Sequence, residues 1–198
     1  MEEKLPLPKD PKLAAILKAA FEAFGMYGFR RTSMEDIAQG AAMSRAAVYL
    51  QFKNKEDIFR TLVAWYYEQS YLDLKAALSQ PGSVDDVLLA GFRAQSGEAF
   101  KALLNSPHGG ELLDAKTTAA GEVVAAGDAK IIGLYAEWLD GLAAEDRIDL
   151  RPYGGSSVDV ARLMMTALWG LKAGVPSYDD YAAGRDQFAL MFARGLTA

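Results

Sequence analysis

The sequence has no cysteine and a single histidine, His108. Without cysteine there is no disulfide, no thiolate metal site and no thiol nucleophile. One histidine leaves little room for His-dependent catalysis or a multi-His metal centre. No apolar run approaches the ~20 residues that a bilayer-spanning helix needs. The opening stretch MEEKLPLPKD has mixed charge and two prolines in place of an apolar signal core, so the expected location is the cytoplasm and no membrane partner is expected. No segment alternates apolar and polar residues with a period of two, and no internal repeat is apparent. What is present is ordinary for a globular chain. Its 198 residues are 51% hydrophobic and 24% charged, enough to bury a sizeable core.

The net charge of −5 is unevenly divided. Residues 1–60 hold ten Lys/Arg against eight Asp/Glu, whereas residues 61–198 hold eleven against eighteen. Five of the basic residues (Arg30, Arg31, Arg45, Lys53 and Lys55) fall within 30–55, against only Glu35 and Asp36. An acidic body with a small basic N-terminal module suggests that one end alone meets a polyanion. Chance fluctuation of surface charge accounts for the same division, so charge by itself decides nothing.

The apolar pattern predicts an all-α chain. Asp10-Pro11 supplies an N-cap and a first-turn proline, and Leu13, Ile16, Leu17, Ala20, Phe21 and Phe24 follow at helical spacing up to about Gly28. Thr32-Ser33-Met34-Glu35 has capping-box spacing, which opens a short second helix near Met34. Ser44 caps a short third helix, and Asn54 caps a fourth over about 55–80, with Glu56 and Asp57 at its positive end. Further helices are predicted at about 84–104, 110–118, 121–144, 157–173 and 178–195. Breaks are expected at Ser106-Pro107, Asp149 to Gly155, and Gly174-Val175-Pro176.

Two short helices joined by a few residues and braced by a third is the layout of a helix-turn-helix reader. Ile37, Ala38, Met43 and Val48 would form its small core. The second short helix would turn Arg45, Ala46, Tyr49 and Leu50 outward. Arg45 can fork onto guanine, and Ala46 admits close approach or meets a thymine methyl. Tyr49, Thr32, Ser33, Lys53 and Lys55 offer hydroxyls and charge for phosphates on either side. A generic helical hairpin explains the apolar spacing equally well; the basic flanks and three successive caps favour DNA.

Phe21 to Phe24, Gly28 to Ala38, and Ser44 to Phe52 followed by Lys53-Asn54-Lys55-Glu56 resemble the N-terminal DNA-binding domain of the TetR family of transcriptional regulators. The resemblance covers about residues 12–62. It implies a homodimer on a palindromic operator in double-stranded DNA and a larger C-terminal domain that takes a small-molecule effector. By position it assigns Arg45, Ala46 and Leu50 to base reading and Thr32, Ser33, Ser44, Tyr49, Gln51 and Lys55 to phosphates. Two residues depart from the family pattern. Ala42 stands where glycine is usual in the turn, costing on the order of 1 kcal/mol if φ there is positive. Gln51 stands where histidine or tyrosine is common.

The expected organisation is a flexible arm over 1–10, the helix-turn-helix domain over 11–56, and an effector-binding and dimerisation domain over 57–198. In the last, Phe92, Gln95, Tyr135, Trp138, Met164 and Trp169 are the candidate effector contacts, because they lie on or beside apolar stripes of converging helices. Gln95 stands out as a polar group near such a stripe; these stripes serve equally as plain core. Helices 157–173 and 178–195 are apolar around more than one face, which calls for a second partner. Val158, Ala161, Met165, Leu168, Tyr181, Phe188, Met191 and Phe192 are therefore the candidate dimer interface. His108, Glu111 and Asp114 have a spacing that admits a metal, but a capping or surface histidine is the better reading. No catalytic residue, cofactor or metal is expected. The sequence thus reads as a ligand-released repressor, the rivals being a sequence-nonspecific DNA binder and a helical protein-interaction module.

Overall fold

The computed structural model describes residues 8–174 and 177–197. Residues 1–7 of the expected arm, and residues 175–176 of the break before the last helix, lie outside them. Among the described residues the secondary structure is entirely helical. The elements are α1 (Pro11–Tyr27), α2 (Met34–Gly40), α3 (Arg45–Tyr49), α4 (Lys55–Leu78), α5 (Val84–Leu104), α6 (Gly109–Ala119), α7 (Gly121–Ala144), α8 (Ser157–Gly170) and α9 (Tyr178–Thr197), with a 3-10 turn at Arg151–Tyr153.

Helix starts follow from short polar side chains. The Asp10 carboxylate accepts from the amides of Lys12 and Leu13, opening α1. Ser33, Ser44, Asn54, Ser83, Ser156 and Ser177 each accept from the amide three residues on, opening α2, α3, α4, α5, α8 and α9. Such a cap is worth ~1 kcal/mol. The capping box at α2 pairs Ser33 with Asp36, whose carboxylate accepts from the Ser33 amide at 2.8 Å.

The chain divides into two compact units. One comprises the chain up to Gln69 together with Glu98–Ala126; the other comprises Ser70–Gly97 together with the chain from Gly127 on. In the first unit α1 packs on α2 and on α6, and α2 packs on α3. Its core holds Ile16, Leu17, Phe24, Ile37, Val48 and Ile58, all fully or almost fully buried. The rings of Phe24, Phe29 and Phe59 form a triangle with centroids 4.9–5.7 Å apart. In the second unit α8 packs on α9, and Leu74, Leu88, Phe92, Ile131, Tyr135, Leu139 and Met164 are wholly buried or nearly so.

The predicted continuous helix over 84–104 is interrupted. Gly97 has φ 59° and ψ 173°, outside the helical region. Only glycine adopts that conformation without a Cβ clash, and the chain passes from one unit to the other at this residue.

Candidate functional site

The α2–α3 pair is built from the capped segments already described. Ile37, Ala38 and Val48 are at most 1% exposed, and Met43 is half-buried. The turn between the helices closes where the Met43 amide donates to the Ala38 carbonyl at 2.9 Å. Ala42 sits in that turn with φ 53°, the left-handed conformation in which a Cβ is strained.

With Val48 facing inward, the opposite side of α3 is open. Ser44, Arg45, Ala46, Tyr49, Leu50 and Gln51 are exposed, as are Ser33 and Lys53. Leu50 is 85% exposed and Tyr49 43%, so this side of α3 presents apolar as well as polar surface. Arg45 and Tyr49 lie one turn apart: the guanidinium donates to the phenol oxygen at 3.4 Å and its carbon stands 5.4 Å from the ring centroid. This contact lies along one helix face and aligns a forked donor there. The Ser33 hydroxyl donates to Asp36, and this bond, followed by the one from the Ser33 amide, holds the Asp36 carboxyl below its usual pKa.

Two residues expected at phosphates are placed differently. Thr32 is 1% exposed, and its hydroxyl donates to the carbonyls of Gly28 (2.8 Å) and Ala23 (3.2 Å). Its hydroxyl is committed to ending α1, so the side chain does not face solvent. Lys55 is half-buried, and its ammonium donates to the carbonyls of Phe29, Arg30 and Thr32 at 2.8–2.9 Å while lying 5.0 Å from the Phe29 ring centroid. All three ammonium protons thus have acceptors inside the domain. A lysine so placed holds the α1–α2 loop. Sequence spacing gave no sign of this, because the three carbonyls come together only after the loop has formed.

The family description "Bacterial regulatory proteins, tetR family" matches residues 16–62, which span most of α1, all of α2 and α3, and the start of α4. The chain carries a TetR-family helix-turn-helix domain. It is similar to the HTH-type transcriptional regulator YezE of Bacillus subtilis, with 31% identity over 80 residues, 40% of this chain and 41% of that protein. The chain therefore spans less than half the length of that relative. A transcriptional regulator from Cytophaga hutchinsonii has the same fold: TM-score 0.77 at 20% identity, covering 96% of this chain and 100% of the other. So does SmeT, the repressor of the Stenotrophomonas maltophilia multidrug efflux pump SmeDEF, with TM-score 0.70 at 20% identity over 96% and 93% of the two chains. SmeT has also been solved as a triclosan complex.

Beyond the TetR-type domain, the second unit brings some of the expected residues together. The Tyr135 hydroxyl donates to the Gln95 side-chain oxygen at 2.9 Å, and the Gln95 amide nitrogen reaches Met165 Sδ at 3.1 Å. Phe92 packs edge-on against the Tyr135 ring at 5.8 Å. Burial pushes the Tyr135 phenol well above its usual pKa, with a further contribution from Tyr181. Met164 is wholly buried, Trp138 is half-buried and Trp169 is 38% exposed.

Of the residues expected at a dimer interface, Ala161, Met165, Leu168 and Tyr181 are 0–2% exposed and face the unit's own core. Tyr181 shares a hydrogen bond of 3.0 Å with Ser96. Val158 and Met191 are exposed, by 43% and 66%, and Phe188 and Phe192 are half-buried. A shallow apolar groove of about 200 Å³ is lined by Tyr153, Val160, Leu163, Phe188, Met191 and Phe192. Helical periodicity alone does not reveal Tyr153, which comes from the 3-10 turn, nor Arg185, a charge 5% exposed and paired with Asp186 at 2.9 Å.

His108 precedes α6 without capping it through its side chain. Its Nδ1 lies 3.4 Å from Glu111 Oε2, and Asp114 is exposed. Among the described residues no helix is long and apolar enough to cross a membrane.

Proposed function

We propose that the protein is a ligand-responsive repressor that binds a palindromic operator as a homodimer in the cytoplasm. The observation that carries this reading is the open face of α3, where Arg45, Ala46, Tyr49 and Leu50 project from a helix anchored beneath by Val48. Arg45, held in line by Tyr49, would read a guanine, and Ala46 and Leu50 would meet apolar base edges such as the thymine methyl. Ser44, Gln51 and Lys53, around that face, would contact phosphates, whereas Ser33 would reach one only by giving up its hydroxyl bond to Asp36. Thr32 and Lys55 would act one step back, by holding the backbone on which Ser33 stands.

For dimerisation the support is the apolar surface of α8 and α9, where Val158, Leu163, Phe188, Met191 and Phe192 are wholly or partly exposed. A twofold axis there would set two recognition helices one DNA turn apart, ~34–36 Å. For the effector the support is the Gln95–Tyr135 pair, a polar couple amid apolar helices with Phe92 against it. Trp138, Met164 and Trp169 would line the remainder of that site. That SmeT was solved with triclosan lends this expectation weight. Helix α4 contributes residues to both units, so a ligand that shifts it would alter the spacing of the two readers. Ligand and operator would then oppose each other reciprocally, with a coupling of ~1–3 kcal/mol. An enzymatic reading has less behind it, since the chain offers no cysteine and one histidine.

The test is selection of bound sequences from random duplex DNA by the purified chain. The reading expects an inverted repeat. Arg45→Ala should then lower discrimination at one base position in each half-site by ~10–100-fold, with little change in binding to bulk DNA. Uniform binding to all duplexes at fixed salt would instead favour a nonspecific DNA binder.

A further inference from the structure

The loop that leads into the reader, Gly28–Thr32, is gripped on two sides. From α4, the Lys55 ammonium takes the carbonyls of Phe29, Arg30 and Thr32. From α6, the Glu111 carboxylate accepts the Arg30 amide at 2.8 Å, across 81 residues of sequence. The Arg30 residue is thus held by its carbonyl and by its amide, through two opposite charges. The approach of α6 is close. Gly28 has φ 84°, and a Cβ there would collide with the Glu111 carboxylate and crowd His108 Nδ1. His108 Nδ1 also flanks the other carboxylate oxygen at 3.4 Å. A Cβ on Gly25 would make only ordinary contact with Ser106, and α6 packs on α1. All of these residues belong to one compact unit.

We propose that Glu111 is a positioning residue for DNA recognition, fixing through the Arg30 amide the loop that launches the α2–α3 reader. Glu111 lies outside the matched residues 16–62, so this part of the reader's alignment is supplied from beyond the helix-turn-helix. The physical case is direct. An amide-to-carboxylate bond is charge-assisted and about twice as strong as a neutral one. It acts three residues before Ser33, whose side chain and backbone form the α2 capping box. Loss of the bond would leave the Phe29–Arg30 peptide held on one side alone, through the Phe29 carbonyl by Lys55, and would loosen the entry to α2 without removing any group that touches DNA. This rests on the reading of α3 as the DNA-contacting face.

The experiment uses the full chain, the duplex obtained by the selection above, and the variants Glu111→Ala and Glu111→Gln. Glu111→Ala should bind that duplex about ten-fold more weakly, the equivalent of one such bond. The dependence of affinity on salt should not change, because no phosphate contact is lost. Glu111→Gln keeps an acceptor oxygen and should recover binding to within about three-fold of the parent. Amide hydrogen exchange should quicken at Arg30 in Glu111→Ala and stay as in the parent over α3. Parental affinity in Glu111→Ala would overturn the proposal. So would a loss of affinity matched by faster exchange throughout the domain, or failure of the glutamine to restore binding. If the unmutated chain preferred no duplex, the reading of α3 would itself fail, an outcome recognisable without any variant.

Discussion

The α2–α3 reader and the core of the second unit are tied by polar bonds of different reach along the chain. Around α2 and α3, Ser33, Ser44 and Asn54 each bond an amide three residues away, and the Gly28–Thr32 loop before them is the part held from a distance, by Lys55 and Glu111. In the second unit the defining polar bonds join residues 40, 85 and 93 apart: Tyr135 with Gln95, Ser96 with Tyr181, and Arg93 with Asp186. Short-range bonds fix helix ends and leave the outer face of α3 free to vary toward a DNA sequence. Long-range bonds fix how helices face one another, so a change in one partner is felt by a distant segment. The first arrangement suits a reader that must keep its shape while its surface residues change. The second suits a domain in which a bound molecule would compete with internal pairs.

The sharpest way to break this comparison is to disable the second unit and watch the first. Met191→Glu would place a charge on the most exposed apolar residue of the α8–α9 surface, 66% exposed. The fold of the TetR-type domain should be unaffected, because Met191 belongs to the other unit. The chain should sediment as a monomer, and affinity for a palindrome should fall by ~10²–10⁴-fold through loss of the second tethered half-site. Binding to a single half-site should be unchanged. A variant that sediments as a dimer would remove α9 from the proposed interface.

Much of the first unit was legible from the sequence because its signals are local. Ser33, Ser44 and Asn54 announce helix starts within three residues, and Ile37, Ala38 and Val48 mark the buried side of α2–α3 by spacing alone. Helix starts in the second unit were legible for the same reason: the helices expected from about 84, 157 and 178 open behind Ser83, Ser156 and Ser177, although the sequence alone did not separate Ser156 from Ser157 as the cap. What escaped the sequence is what depends on assembly. Lys55 and Thr32 have the chemistry of phosphate contacts, but carbonyls brought together by the loop claim them first. Gly97 reads as a helix interior position until its backbone conformation is seen. Ala161, Met165, Leu168 and Tyr181 share helices with outward-facing apolar residues, and a helix apolar on two sides does not say which side meets its own core. Glu111 has no local partner pointing to Arg30; the one hint is Gly28, whose missing side chain makes the approach possible.

A smaller effect separates local from distant pairing within the second unit. Gln95→Leu removes the acceptor of the wholly buried Tyr135 hydroxyl. An unpaired buried hydroxyl costs ~1–3 kcal/mol, so thermal unfolding should shift down accordingly. Adding Tyr135→Phe removes the orphaned donor as well, and the double variant should regain most of the loss. Measured as a double-mutant cycle by denaturant unfolding, a coupling near zero would mean that the two side chains do not depend on each other.

The smallest expected effect lies in the first unit, at the turn where the chain departs from the family pattern. Ala42 has φ 53°, a conformation that costs an L-residue roughly 1–2 kcal/mol. Ala42→Gly would relieve that strain, while the greater freedom of glycine in the unfolded chain takes back ~0.4–1 kcal/mol. The net should be a stabilisation of roughly 0.5–1 kcal/mol, seen as a rise in melting temperature of ~1–4 °C. The Met43–Ala38 bond that closes the turn involves no Ala42 side-chain atom, so α3 should keep its orientation and the preferred duplex should not change. A lower melting temperature would show that the turn relaxes its strain by another route. A changed duplex preference would show that the turn, as well as the side chains of α3, contributes to sequence discrimination.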